Sequence, residues 1–374
     1  MYIPKYTITT QILKDIGRVE AAKEVIESAP LVPSWEAKFR DDASFRAAHY
    51  GTALEGNDLT AGEAKLIFDH GVTNFSEAEK AGIAARERDV QEVINYRNVL
   101  EFINKTKLSL TSQGGNGEGQ EFVYSQELLC EIHRLVVDRV VQSSEAGVLR
   151  SRQVVLRNSI TGEIGFRPPT PLEVPFLIED FFRWLNSDFG RKEHPILRAG
   201  ITHYVLAAVH PFIEGNGRTA RAMATLVMFA EGYDIKKFFA LEDYFDKHAD
   251  EYFGALMEVS NQSPKLEDRD LTPWLMVFTK ALSMELTRIK DKIRELSVDI
   301  KMKQKMGRQV TLSERQMKIV EYLHANEAIS MAEARGVLTM VSEDTILRDL
   351  KYLMEKGVIS KKGSTKAAKY ILKT

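Results

Sequence analysis

The chain has 374 residues, 44% of them hydrophobic, and a formal net charge of −2. This length predicts two or three domains with sizeable cores, and the composition excludes a disordered chain. The near-neutral charge gives no whole-chain signal for nucleic acid or membrane, so any such signal must be local. A single cysteine excludes an internal disulfide framework. No window reaches ~18 uncharged apolar residues, and the first residues lack a signal-peptide pattern, so we expect a cytoplasmic protein without membrane contact.

Helical periodicity dominates the first 300 residues, which predicts a mainly α fold. Apolar residues recur at helical spacing in 13–29, 90–105, 125–138 and 174–187. The polar, glycine-rich stretch 112–121 is predicted to be a loop.

One β-hairpin is predicted at residues 154–166, where two short extended runs flank Thr161-Gly162. Pro168 and Pro169 prevent a helix from following directly. A lone hairpin in a helical domain is marginal unless it packs or acts on something, so this one is a candidate functional element.

Residues 210–221 read HPFIEGNGRTAR, a combination that packing alone does not require. Pro211 should interrupt the apolar helix before it, and the glycines lead into an Ala-rich helix. The free N–H groups and positive dipole end of that second helix then form an anion site.

Three kinds of polar side chain complete this site. Arg218 and Arg221 are three residues apart and can reach one anion. Glu214 suits Mg²⁺ that also binds phosphate oxygens, and His210 can accept a proton. The segment therefore predicts phosphoryl or nucleotidyl transfer.

The same segment resembles the signature of the Fic family, H-x-F-x-[DE]-G-N-G-R-x-x-R, at every fixed position. The resemblance implies a Fic-type helical core that transfers AMP from Mg-ATP to a side-chain hydroxyl of a target protein. It implies that His210 is the base, that Glu214 holds Mg²⁺, and that a β-hairpin flap holds the target. The nucleotide-binding residues that it implies are Gly215, Asn216, Gly217, Arg218, Arg221 and Tyr252.

Two positions bear on which nucleotide chemistry is expected. A phosphorylating relative has Lys where this chain has Gly217, which favours AMP transfer. Before Tyr252 the family often has Asn-Arg, whereas this chain has Lys247 and His248, so nucleotide preference stays open.

Residues 46–60, RAAHYGTALEGNDLT, resemble the family's inhibitory helix, [ST]-x-x-x-E-[GN]. Glu55 and Gly56 match, while Gly51 replaces the Ser or Thr. A carboxylate paired with Arg221 would remove the clamp on the γ-phosphate. The alternative interpretation is a surface glutamate before a helix-ending glycine.

Two other histidines, His133 and His203, lie on apolar helices and are predicted to be packed core residues. An apolar seam runs from Leu282 to Ile300 on one long helix. It could pair two copies of the chain in a homodimer or lie along the main domain.

The C-terminal region is predicted to be a small winged helix-turn-helix domain, with Ser313, Ser330 and Ser342 as helix N-caps. Residues 342–359 resemble the recognition helix of bacterial regulators. Residues 356–374 hold six lysines and no acidic residue, which favours DNA, but the presumed recognition helix is not strongly basic, and protein docking is the alternative.

The sequence thus predicts an autoinhibited protein adenylyltransferase that also modifies itself. The same site could instead remove AMP from modified protein, or the chain could be a DNA-binding regulator with a nucleotide-sensing core. The predicted regions are 1–110 with an inhibitory helix near 46–57, the core 111–300, a linker 301–310 and the winged helix 311–374.

Overall fold

The computed structural model describes residues 2–29, 31, 33–113, 122–157, 164–296, 312–339, 341–363 and 368–373. They form two compact units, Met1–Glu27 with Lys38–Lys290 and Ser28–Ala37 with Asp291–Thr374. Most of these residues are helical, which confirms the predicted fold class. No helix in this described part of the chain is long and apolar enough to cross a bilayer.

Among the described residues, three long helices and two short ones make up the N-terminal part of the chain. Polar caps begin two of them: Thr60 and Glu63 form a reciprocal capping box, and Asn74 accepts a hydrogen bond from Glu77 N. Such caps satisfy amides that lack partners at a helix start. The helices are α1 (Thr10–Ser28), α2 (Pro33–Ala53), α3 (Ala61–Asp69), α4 (Phe75–Lys80) and α5 (Glu87–Gln113).

The remainder of the larger unit is built around two buried helices, α9 and α10, as the ranges below define them. Thirteen of the 15 residues of α9 and 12 of the 15 of α10 are buried, so these helices form the centre of the core. The elements are α6 (Gln126–Val136), β1 (Leu156–Arg157), β2 (Ile164–Phe166), α7 (Val174–Leu185), α8 (Asp188–Arg191), α9 (Pro195–Val209), α10 (Asn216–Ala230), α11 (Leu241–Lys247), α12 (Ala249–Ser260) and α13 (Thr272–Leu296).

The predicted hairpin is present as the antiparallel pair β1–β2. Leu156 lies opposite Phe166, and Leu156 is exposed. The predicted turn at Thr161-Gly162 lies outside the described residues. Because the hairpin adds no large side chain to the core at Leu156, its outer surface is available for another role.

Helix α2 is fixed to the core by a buried ion-pair cluster at Arg46. Its NH1 atom lies 3.1 Å from Asp243 Oδ2 on α11 and 2.8 Å from Glu285 Oε1 on α13. Its Nε atom lies 2.9 Å from Asp42 Oδ2 in its own helix. Breaking a buried pair of this kind costs roughly 3–5 kcal/mol. The middle of α2 is therefore held independently of the turn that follows the helix.

The apolar seam on α13 packs within the chain at its first four positions, which favours packing over dimerisation for this stretch. Leu282, Leu286, Ile289 and Ile293 are each at most 1% exposed. The last seam position, Ile300, lies outside the described residues.

The smaller unit has the predicted order of helices followed by a hairpin. Ser313 and Ser330 form capping boxes, whereas the Ser342 side chain at the third N-cap bonds to Thr345 Oγ1 at 2.9 Å and not to a backbone amide. The linker 301–310 and residues 364–367 lie outside the described residues. The elements are α14 (Glu314–Ala325), β3 (Ile329–Ser330), α15 (Met331–Val337), α16 (Glu343–Glu355), β4 (Ile359–Lys362) and β5 (Lys369–Leu372), with sheet order β3-β5-β4.

Candidate functional site

His210 ends α9 in a left-handed turn, as the following proline predicts. Its φ and ψ are 53° and 60°, and its Nδ1 atom lies 3.2 Å from the carbonyl of Ala207. This contact favours a proton on Nδ1 and leaves the Nε2 lone pair free to accept one. Burial, aided by the cation of Arg150, lowers the pKa of His210 to about 4 against the opposing effects of Ala207 and Glu55. The imidazole is therefore neutral at pH 7.

The loop after His210 is held by Asn216 and His133. The Asn216 side chain accepts from Phe212 N at 2.8 Å and donates to Phe212 O at 2.9 Å. The His133 ring stacks on Phe212 with centroids 3.6 Å apart, and its Nε2 atom lies 2.9 Å from Glu214 O. His133 is buried, as predicted, but it also shapes this loop, which the sequence analysis did not foresee. The loop is therefore rigid before any ligand binds.

Gly215 begins α10 at a position that other residues fit poorly. Its φ is +74°, and a Cβ there would lie 2.6 Å from Val137 Cγ1. We expect Gly215→Ala to lower the free energy of unfolding by roughly 1–3 kcal/mol, because it combines backbone strain with a clash. A lower midpoint of thermal unfolding measures this effect.

The control for Gly215→Ala is Gly17→Ala on α1, where nothing lies within 4 Å of the added Cβ. That change should stabilise the protein by roughly 0.5–1 kcal/mol, because alanine loses less backbone entropy than glycine in a helix. Equal midpoints for the two variants would contradict the account of the loop.

Glu55 bridges both arginines of the loop–helix segment. Its Oε1 atom lies 2.9 Å from Arg221 NH2, as the sequence predicts, and its Oε2 atom lies 2.8 Å from Arg218 Nε, which the sequence analysis did not foresee. Both guanidinium groups are buried. Burial alone raises the pKa of Glu55, but the two cations outweigh it and hold the pKa below its ordinary value. Glu55 is thus ionised and engaged with both arginines.

Arg221 also contacts the backbone and an aromatic residue. Its NH2 atom donates to Gly51 O at 2.6 Å, and its NH1 atom lies 3.4 Å from the Tyr252 hydroxyl. That hydroxyl also lies 3.1 Å from His203 Nε2. Tyr252 is 2% exposed, so its ring lies in the interior behind Arg221. His203 is fully buried, as predicted for a core histidine.

Gly51 occupies the position where the inhibitory motif has Ser or Thr, and its surroundings explain the absence of a side chain. A Cβ there would lie 3.1 Å from Glu242 Cγ and 3.2 Å from the ring of Tyr96. Those two side chains, joined by a hydrogen bond of 2.7 Å, fill the space. The main chain of Gly51 nevertheless contacts Arg221.

Glu214 is the one acidic side chain of the loop, and it is one third exposed. It forms an ion pair with Arg88 of α5, and its Oε1 atom lies 3.9 Å from Arg218 NH2. Across the described ranges no cluster of three or more His, Cys, Asp or Glu side chains could hold a metal. A single carboxylate beside an anion site fits Mg²⁺, which commonly takes one or two protein carboxylates together with phosphate oxygens.

Helix α5 supplies two further charged groups that sequence spacing did not reveal. Glu92 is 5% exposed, and its Oε1 atom lies 3.4 Å from Arg218 NH1 and 3.1 Å from Arg88 Nε. Its Oε2 atom accepts from Asn57 Nδ2 at 2.9 Å. Asn57 follows Glu55 by two residues, so this bond anchors the turn that carries Glu55.

The site therefore combines a neutral imidazole, a helix N-terminus held by side-chain hydrogen bonds, two buried arginines and one partly exposed carboxylate. Such groups can accept a proton, bind a polyphosphate and share a divalent cation with it. The carboxylate of Glu55 forms ion pairs with Arg218 and Arg221, the two cations that a polyphosphate would need.

The chain carries two recognisable domains. Residues 123–228 match the model of the Fic/DOC family, and residues 315–363 match that of a DeoR-like helix-turn-helix domain. The first match contains the whole loop, all of α9 and all but the last two residues of α10.

Curated relatives resemble about half of this chain. It is 33% identical over 189 residues to protein adenylyltransferase fic-1 of Caenorhabditis elegans, covering 50% of this chain and 32% of that protein. It is 26% identical over 195 residues to protein adenylyltransferase Fic of Drosophila melanogaster, covering 52% and 34%. The chain spans about a third of the length of these relatives.

Solved structures share the fold. A Fic family protein from Desulfovibrio desulfuricans matches with a TM-score of 0.65 and 20% identity, covering 99% of this chain and 98% of that one. A Fic domain containing signaling protein from Bacteroides thetaiotaomicron matches with a TM-score of 0.58 and 21% identity, covering 76% and 97%.

Proposed function

We propose that this chain, which carries a Fic domain and a DeoR-like helix-turn-helix domain, is an autoinhibited protein adenylyltransferase. It transfers AMP from Mg-ATP to a side-chain hydroxyl of a target protein and of the chain itself. The main support is that a neutral His210 lies next to a helix N-terminus that carries two buried arginines.

The chemical step begins at the target hydroxyl. Its proton passes to Nε2 of His210 while its oxygen attacks the α-phosphorus of ATP. The bond from the α-phosphorus to the bridging oxygen breaks, and pyrophosphate leaves with that oxygen and its electron pair. AMP stays on the target oxygen.

Binding of ATP is assigned to the loop and the start of α10. The backbone amides of Gly215 and Gly217 approach the α-phosphate, and Asn216 supports them by holding Phe212. Arg218 and Arg221 bind the β- and γ-phosphates. Tyr252 is assigned to the nucleotide site through its hydroxyl, which lies 3.4 Å from Arg221 NH1.

Mg²⁺ would be held by Glu214 together with phosphate oxygens of the substrate. When bound it neutralises phosphate charge and stabilises the departing pyrophosphate. Arg88 pairs with the Glu214 carboxylate and would leave it on metal binding.

Glu55 is the inhibitory group. Its two ion pairs engage the arginines that would otherwise align the triphosphate. Bound ATP therefore does not reach the orientation that in-line attack needs. The hairpin β1–β2 is proposed to hold the target segment by strand pairing, since its edge carries backbone groups that can accept a further strand.

The reaction class is tested with Glu55→Gly protein and ATP labelled at either the α- or the γ-phosphate. Adenylylation leaves the α label on protein and releases the γ label in pyrophosphate. The γ label on protein would instead show phosphorylation. The proposal would be contradicted if neither label appeared on protein, whether the enzyme was incubated with lysate or by itself.

Removal of AMP is the alternative use of the same site, because the carboxylate of Glu55 could orient a water molecule. Protein first modified by Glu55→Gly enzyme serves as substrate for the wild-type chain. Release of AMP by wild type, but not by Glu55→Gly, would favour this alternative.

DNA binding is a second candidate function, favoured by the DeoR-like match and by exposed cations on α16 and β4. We expect the double variant Lys361→Gln with Lys362→Gln to bind duplex DNA of any sequence more weakly. The slope of the logarithm of the binding constant against the logarithm of the salt concentration should become shallower by about one per lysine. A gel-shift series in salt measures this.

The control for the DNA prediction replaces two exposed lysines of the larger unit, Lys65 and Lys80, by glutamine. Those changes should leave DNA retention as it is. Absence of a salt-dependent shift with the full-length protein would remove the DNA-binding candidate and favour protein docking.

A further inference from the structure

We propose that Arg150 is a positioning residue that fixes His210 and ties it to both ends of the hairpin β1–β2. This inference rests on the proposed role of His210 as the base. Arg150 lies in the segment between α6 and β1, outside the motif at 210–221, and it is 4% exposed.

The guanidinium of Arg150 binds the main chain at the end of α9. Its Nε atom donates to His210 O at 2.7 Å, and its NH2 atom lies 3.4 Å from Val209 O. The backbone N–H of Arg150 donates to Pro211 O at 2.9 Å. A cation at the carbonyl end of a helix interacts favourably with the helix dipole and with carbonyls that lack helical partners.

These bonds stabilise a backbone conformation that is otherwise unfavourable. His210 is left-handed at φ 53°, a region that non-glycine residues rarely adopt. The ring is fixed separately by the Nδ1 contact with Ala207 O. Main chain and ring together set the direction in which Nε2 points.

The other side of the same guanidinium reaches the hairpin. NH2 donates to Pro169 O at 2.6 Å, just after β2, and NH1 lies 3.4 Å from Arg152 O, just before β1. One planar group thus joins the main chain of the base to the segments that enter and leave the hairpin. No carboxylate among the described residues pairs with Arg150. The carbonyl groups that accept its hydrogen bonds therefore set the position of the guanidinium.

The physical consequence concerns the distance between the target hydroxyl and Nε2. A misplacement of about 1 Å at a reacting centre can lower the rate about 100-fold. Lysine keeps the charge but has a single nitrogen in place of the planar guanidinium with three. It therefore cannot bind all of these carbonyl groups at the same time. The fork geometry is therefore the property that matters.

The test uses Arg150→Lys and Arg150→Met in the full-length Glu55→Gly protein, with Arg183→Met, an exposed arginine on α7, as the matched control. We expect AMP transfer to fall about 100-fold in both Arg150 variants, while ATP affinity measured by calorimetry stays unchanged. Arg183→Met should match its parent. Thermal unfolding identifies a variant that does not fold, and the lysine variant keeps the test valid if the methionine variant fails.

A second readout follows the imidazole directly. Nitrogen NMR should show His210 with its proton on Nδ1 and a pKa below its ordinary value in the parent protein, because burial disfavours the cation. Removal of the Arg150 cation should raise that pKa, while burial and the Ala207 contact remain. The Nδ1 tautomer should persist in Arg150→Met, because Ala207 O still accepts from that atom.

Two outcomes would overturn the inference: transfer at the parental rate with unchanged His210 signals, or loss of ATP affinity equal to the loss of rate. The second would make Arg150 a scaffold residue of the whole site. If the parent transfers no AMP at all, the proposed function fails, and the NMR readout alone still decides whether Arg150 positions His210.

Discussion

Replacement of His210 by alanine is expected to lower AMP transfer by about 10² to 10⁴-fold, the usual effect of losing a general base. ATP binding should persist, because the loop amides and both arginines remain. His210→Asn gives the same loss while tolerating the left-handed turn better than alanine does. Single-turnover transfer and ATP affinity are measured together in the Glu55→Gly background.

His70→Ala, at the exposed end of α3, is the control and should keep the parental rate. Because only the neutral imidazole accepts a proton, the rate should hold near pH 7 and fall once the pH drops through the lowered pKa of His210. Transfer at the parental rate by both His210 variants would remove the proposed mechanism.

Replacement of Glu55 by glycine should raise AMP transfer about tenfold to 100-fold, including modification of the chain itself. A charge-assisted hydrogen bond contributes roughly 1.5–3 kcal/mol, and its loss shifts bound ATP towards the aligned pose. Two such pairs are present here, to Arg218 and Arg221. Glu55→Gln, which keeps size and removes charge, should give an intermediate rate.

The activation should depend on Arg221. The double variant Glu55→Gly with Arg221→Ala should return towards the basal rate, since nothing then clamps the γ-phosphate. An unchanged rate for Glu55→Gly in excess ATP would show that Glu55 is not inhibitory. Loss of an AMP-removing activity in the same variant would instead make Glu55 a catalytic residue of the reverse reaction.

The local motif was predictable because its chemistry is contiguous in sequence. His210, the glycines and the two arginines lie within twelve residues, and the proline and glycines dictate the turn between two helices. The pairing of Glu55 with Arg221 was also predictable from a resemblance in a separate segment. These features need only local backbone rules and charge complementarity.

The residues that support the motif were not predictable in the same way. Arg150 and Glu92 act through contacts across long sequence separations, and neither stands in a pattern that signals its partner. Asn57 follows Glu55-Gly56, but its bond to Glu92 depends on how α5 packs. Tertiary packing decides such contacts, and neither the periodicity of apolar residues nor the spacing within a motif describes tertiary packing.

The ion-pair cluster at Arg46 has a consequence for how this chain can evolve. Because α2 is anchored at its middle, the loss of the Glu55 side chain removes two ion pairs without undocking the helix. A glutamate codon becomes a glycine codon by one base change, so under the proposed inhibition a single mutation would raise the basal rate while the fold persists. Selection would then adjust the proposed activity at one position, almost independently of selection for folding.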